Sequence, residues 1–147
     1  MPDNFTAHRY EGGMVRPISD RQEKVAPLGS FKWKQTLAAL EGLSRYEPDP
    51  YDGYAVEFIN RSDGKTANPN IAAWMQKLPK GFHSKAHRHT HSAIYQIYKG
   101  SGYSIIDGVR FNWSAGDFLV IPNWACHEHV AEEESYLFCA NDLPIME

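Results

Sequence analysis

The stretch KAHRHTHSAI, Lys85 to Ile94, sets three histidines at alternate positions, His87, His89 and His91. A second cluster, CHEHV, holds His127 and His129. Together they account for five of the chain's seven histidines. On a strand, side chains alternate between faces with period two, so two imidazoles two residues apart emerge side by side. Such a pair can chelate one ion, and a third imidazole from a facing strand, His127, completes a site open on one side. Three neutral nitrogens suit iron, copper, nickel or zinc, and they leave positions for substrate and for water or dioxygen. A third consecutive alternate ligand would crowd the ion, so His91 is expected in the pocket wall. His129 is expected either beside a ligand or as a polar residue at the mouth. His83 and His8 are expected in solvent.

Such a site needs strands to hold it, and most of the chain reads as strands. GYAVEFIN, IAAWMQKL, HSAIYQIYK, YSIID, VRFNW, FLVI, HEHV and SYLFCA are short and β-rich, with turn chemistry between them, including Asp107-Gly108. If one strand runs over residues 87–97, then His87, His89, His91, Ala93 and Tyr95 share a face. Strands this short and this dense predict an all-β domain, an antiparallel barrel or double-sheet jelly roll over residues 45–147. SFKWKQTLAALEGL is the one helix candidate, with Ser30 as cap and Trp33, Leu37, Leu40 and Leu43 at helical spacing. EPDPYDG breaks the chain after it. Residues 1–30 show little periodicity and read as an arm, so residues 1–44 are expected to be an arm and a helix packing on the barrel.

A chain of 147 residues with 42% hydrophobic and 13% aromatic content fills one core without help from a metal or disulfide. The formal charge of −3, with both signs interspersed, gives no basic stripe for nucleic acid. No apolar run approaches the roughly 20 residues that span a bilayer, and MPDNFTAHRYEGG lacks the apolar centre of an export signal. A cytoplasmic protein with no membrane partner is expected. Two cysteines, Cys126 and Cys139, are then expected as reduced thiols, with Cys126 buried and facing away from His127.

Two longer patterns frame the histidines. Gly81, five residues, His87-x-His89, then Gly100 resembles the first motif of the cupin superfamily, a double-stranded β-helix or jelly-roll barrel. Gly116, five residues, Pro122, four residues, His127 resembles the second, with Trp124 where the usual pattern has glycine. The usual cupin glutamate falls at Ala93 or Ile94, neither of which binds metal. A three-histidine site, opened by the small Ala93, is the reading that keeps all three imidazoles in use. HRHTHSAIY and PNWACHEH further resemble the gentisate 1,2-dioxygenase family, with its salicylate and hydroxynaphthoate ring-cleaving relatives. The resemblance runs from about Leu37 to the end. Family members are bicupins about twice this length, and this chain looks like their C-terminal half, free-standing or as a fragment.

That resemblance implies Fe(II) held by His87, His89 and His127, with manganese, nickel, copper or zinc as alternatives the donors accept. It implies a small hydroxylated aromatic acid as substrate, dioxygen as co-substrate, and ring opening in the catabolism of aromatic compounds. In the family's catalytic cupin, a glutamine, a basic residue and a histidine serve the substrate. Gln76 and His129 match the first and last, and Tyr95 stands in place of the basic residue. Trp74 is expected in the cavity lining. No catalytic residue is expected beyond the metal ligands and His129. The competing readings are a cupin that binds metal or a small ligand without ring cleavage, or an isomerase or hydrolase using the same site. A lone cupin should pair with its own copy as a homodimer.

Overall fold

The computed structural model describes residues 31–59, 64–66, 68 and 70–146. The expected arm, His8 and Ser30 lie outside these residues. Helix α1, Trp33–Leu43, is followed by β1 (Tyr54–Glu57), β2 (Ala72–Leu78), β3 (Ala93–Lys99), β4 (Ser101–Ile106), β5 (Val109–Ser114), β6 (Phe118–Ile121), β7 (His127–Ala131) and β8 (Ser135–Asn141). One further helical turn, α2, spans Leu143–Met146, beyond the single helix expected. All eight strand candidates form strands. Helix α1 starts with Lys32 at the N-cap and no side-chain cap bond.

The strands make two antiparallel sheets, one of order β1-β2-β8-β3-β6 and one of order β5-β4-β7. Alternation decides what lies between them. Ala93, Tyr95 and Ile97 of β3 are buried while Ile94, Gln96 and Tyr98 are exposed. Leu78, Ile106, Trp113, Leu119, Ile121, Ala131, Leu137 and Cys139 join them in one core cluster drawn from both sheets. The predicted jelly-roll architecture is therefore present.

On the outer face of the larger sheet, α1 packs Leu40, Leu37 and Trp33 against Met75, Tyr136 and Phe138. Trp33 meets the Tyr136 ring edge-on at 5.3 Å and the Tyr98 ring at 4.8 Å. Complete burial of a leucine such as Leu40 is worth about 2 kcal/mol. Hairpin β4–β5 turns at Asp107 and Gly108, both at positive φ (48° and 82°), as a two-residue turn matching the twist of its strands requires. Asp107 then holds the chain just before β7: its amide donates to the Cys126 carbonyl at 2.8 Å, and its carboxylate accepts from the Cys126 amide at 2.8 Å. Among the described residues no helix is long and apolar enough to cross a membrane.

Candidate metal centre

The strand expected over residues 87–97 begins only at Ala93. Before it, the chain runs as an irregular ribbon bonded alongside β7. The Gly81 amide donates to the Ala131 carbonyl at 2.8 Å and the Ser84 amide to the His129 carbonyl at 2.9 Å. His87 and His127 exchange both backbone bonds, at 3.1 and 2.9 Å, as an isolated bridge. The Trp124 amide donates to the His89 carbonyl at 2.8 Å. This pairing to β7, not a continuous strand, aims the HxH pair inward. Trp124 adopts φ 64°, the left-handed conformation for which the motif ordinarily keeps a glycine.

The result brings three imidazoles together. The ring nitrogens of His87, His89 and His127 lie within 4.8 Å of one another. Ring centroids are 4.4 Å apart for His87 and His127, 4.7 Å for His89 and His127, and 5.2 Å for His87 and His89. Backbone carbonyls orient two of the rings. His89 Nδ1 donates to the His91 carbonyl at 3.0 Å, and His127 Nδ1 donates to the Ala125 carbonyl at 2.9 Å. A carbonyl can only accept, so each Nδ1 carries the proton and each Nε2 offers a lone pair. His127 is only 2% exposed, and among the described residues its Nε2 meets no partner. A buried, unpartnered lone pair beside two further imidazoles fits a first-row transition metal.

Burial favours the neutral state that binds metal at two of these rings, His127 and His87. Burial lowers His127 to about 4, against the upward pull of its bond to Ala125. Burial first, then the neighbouring His89 and His91, lowers His87. His91 stands outside the trio; it stacks on His89 at 3.7 Å, nearly parallel, with Trp74 edge-on at 6.3 Å. Burial and the facing His89 lower its pKa too.

The remaining expected site residues face the same interior. Gln76 on β2 and Tyr95 on β3 are buried, and Trp74 packs against the core. The Tyr95 ring lies 5.2 Å from that of His129, and burial, then the adjacent Cys139, holds its phenol well above 10. Burial of His129 lowers it to about 3. His129 Nδ1 meets Ser104 Oγ at 2.6 Å, and among the described residues its own Nε2 has no partner. Ala93, in place of the usual carboxylate, is buried in the core cluster. His83 is in solvent as expected, though it also meets Glu128 at 2.7 Å. Both cysteines are free thiols, but Cys126 is half-buried rather than buried; the enclosed one is Cys139.

Two groups of residues escaped the sequence reading. Ser104 and Trp113 hold His129 from behind, through a bond of 2.9 Å from Trp113 Nε1 to Ser104 Oγ. Parity along YSII placed Ser104 inward beside Ile106, a buried serine that could have been flagged. The turn at EPDPYDG was read only as a breaker. It brings the Tyr51 ring to 5.0 Å from His87, and the Lys85 amide bonds to the Pro50 carbonyl at 2.8 Å. Burial, then the neighbouring Asp49, raises the carboxyl of Asp52 there.

A family model for the cupin domain matches residues 74–139. The chain has the cupin fold. This cupin is 33% identical to 5-aminosalicylate 1,2-dioxygenase of Comamonas sp, over 99% of its own length and 39% of that protein. It is 31% identical to gentisate 1,2 dioxygenase 1 of Aquipseudomonas alcaligenes, over 96% of its length and 41% of that protein. The similarity extends further toward the N-terminus than the motifs beginning near Leu37. The cupin thus spans about two fifths of the length of these curated relatives and corresponds to their C-terminal half. Its fold is that of salicylate 1,2-dioxygenase from Pseudoaminobacter salicylatoxidans, with a TM-score of 0.78 at 24% identity, over 95% of this chain and 40% of that one.

Proposed function

We propose that this cupin binds Fe(II) through His87, His89 and His127 and opens the ring of a small hydroxylated aromatic acid with dioxygen. The buried, unpartnered Nε2 of His127, facing the other two imidazoles, carries the reading. The names of the relatives, dioxygenases of aminosalicylate and gentisate, supply the reaction class.

Bound Fe(II) would supply a Lewis acid for the substrate's oxygens and a site for dioxygen. The chain's own residues supply the rest. The carbonyls of His91 and Ala125 keep two ligand rings in the Nδ1–H tautomer, so neither has to reorient on binding. Ala93 carries no donor where the usual motif has a carboxylate, so this reading gives the metal three protein ligands. Gln76, Trp74, Tyr95 and His129 wall the cavity and orient the ring within it, which shortens the search for the reactive geometry. Tyr95 offers a neutral hydroxyl where the resemblance implies a basic residue. A substrate carboxylate there loses a charge-assisted bond, about twice as strong as a neutral one.

That substitution favours a second reading, a cupin that binds metal and a small aromatic ligand without cleaving it. Oxygen uptake by the iron-loaded protein with salicylate, 5-aminosalicylate and gentisate separates the two. Uptake with at least one acid, lost in His87→Ala and His127→Ala together with stoichiometric metal by elemental analysis, is expected. Acid binding without uptake would select the second reading, and full metal retention in either variant would end both.

A further inference from the structure

His129 sits two residues beyond His127 on the same face of β7, yet its Nδ1 meets a hydroxyl instead of a carbonyl. A hydroxyl can donate or accept, so the tautomer depends on what else binds Ser104. Trp113 settles it. Its indole Nε1–H can only donate, and it reaches Ser104 Oγ at 2.9 Å. Ser104 is completely buried, and among the described residues its Oγ has no third partner.

Two arrangements remain. If His129 donated from Nδ1, Ser104 would accept twice and its own proton would be buried with no acceptor. If Ser104 donates to Nδ1, indole bonds to hydroxyl and hydroxyl to imidazole, and only Nε2 is left without a partner among the described residues, whereas the first arrangement leaves both the Ser104 proton and the Nε2 lone pair unmet. One fewer unmet buried group favours the second arrangement by about tenfold in population. The proton of the neutral ring then sits on Nε2, the atom that is buried without a protein partner.

We infer that Trp113 and Ser104 are positioning residues that hold His129 as the Nε2–H tautomer, so that this imidazole gives the cavity a hydrogen-bond donor rather than a base. Two histidines of one strand thus present opposite chemistry: a lone pair at His127, bonded behind by a carbonyl, and a proton at His129, bonded behind by a hydroxyl. The group that docks on His129 must be an acceptor, such as a carboxylate or phenolate oxygen. That last step rests on the aromatic-acid reading of the site; the tautomer does not.

The test uses the full chain, labelled with 15N-histidine and loaded with zinc to keep it diamagnetic. Long-range proton–nitrogen correlation spectra report the tautomer of each ring, and His129→Gln assigns the signals. We expect a protonated Nε2 and a bare Nδ1 for His129. Ser104→Ala should replace that pattern with averaged nitrogen shifts, and Trp113→Phe should move it part of the way, which keeps the test open if the alanine variant fails to fold. A protonated Nδ1 in the wild type would overturn the inference, as would an unchanged spectrum in a folded Ser104→Ala. Salicylate should shift the Nε2 proton downfield and bind about fivefold more weakly to Ser104→Ala, the effect of one net hydrogen bond. A wild-type Nδ1–H ring with salicylate bound defeats the inference and spares the aromatic-acid reading. The expected tautomer with no salicylate bound does the reverse and removes only the acceptor step.

Discussion

His127 and His129 share a strand face but differ in what their Nδ1 atoms meet, and on that difference rests the proposal that one serves metal and the other a ligand. Their burial also has a thermodynamic consequence. The pKa of His129 falls from 6.5 to about 3 on folding, so between these values the unfolded chain binds more protons than the folded one. Stability from this ring is therefore complete above pH 6.5 and is lost as pH falls toward 3. At 1.36 kcal/mol per unit, His129 alone should cost the metal-free protein about 2 kcal/mol between pH 7 and pH 5. Urea titrations of metal-free protein at the two pH values measure this, and His129→Gln should reduce the difference by that amount, leaving the share that His127 contributes. An equal midpoint at both pH values in the wild type would mean that the ring is hydrated, not buried.

At the scale of elements, the site depends on the ribbon 81–89 lying along β7 and on the hairpin β4–β5 behind it. Gly102 on β4 is the tightest point of that hairpin. A Cβ there would overlap the Val130 carbonyl of the neighbouring strand and come within 2.7 Å of the Trp113 ring. The indole that holds Ser104 can lie where it does only because residue 102 has no side chain. Gly102→Ala should therefore destabilise the protein by more than about 2 kcal/mol through overpacking and displace Trp113. Thermal unfolding and Trp fluorescence read the two effects. A variant with unchanged midpoint and emission would show that the strands have slack at this crossing.

Across the whole molecule, the outer face of the larger sheet is covered unequally. Helix α1 shields β1, β2 and β8, whereas Ile94 and Tyr98 of β3 and Val120 and Phe118 of β6 stay exposed, Phe118 at 69%. These residues lie together, because Ile94 pairs with Val120 and Gln96 with Phe118 across the two strands. Among the described residues, β6 pairs with β3 alone, so an apolar face adjoins an open edge. Exposed apolar patches and free edges in natural proteins are usually covered. We propose a two-fold dimer of this chain through that face. Light scattering at micromolar concentration should give twice the chain mass, and Phe118→Lys should return it to the monomer. A monomeric wild type would leave the face to some other occupant.

The local signals in the chain determined a good deal. Alternation of apolar residues and the Asp107-Gly108 turn placed all eight strands, because strand side chains obey a two-residue period that needs no distant partner. The spacing from Gly81 to His89 and from Gly116 to His127 marked the three imidazoles that the fold brings together. What spacing could not carry was anything set by a partner far along the chain. The continuous strand expected through His87 is instead a ribbon, since its backbone bonds go to β7, forty residues away, and irregularity costs nothing when another strand supplies the partners. Tyr51 looked like part of a breaker until the fold set it against His87. The protonation of His129 was equally invisible, because it follows from Trp113 and Ser104 meeting behind the ring. A tautomer is decided by which donors and acceptors are enclosed together, and only the packed tertiary structure encloses them.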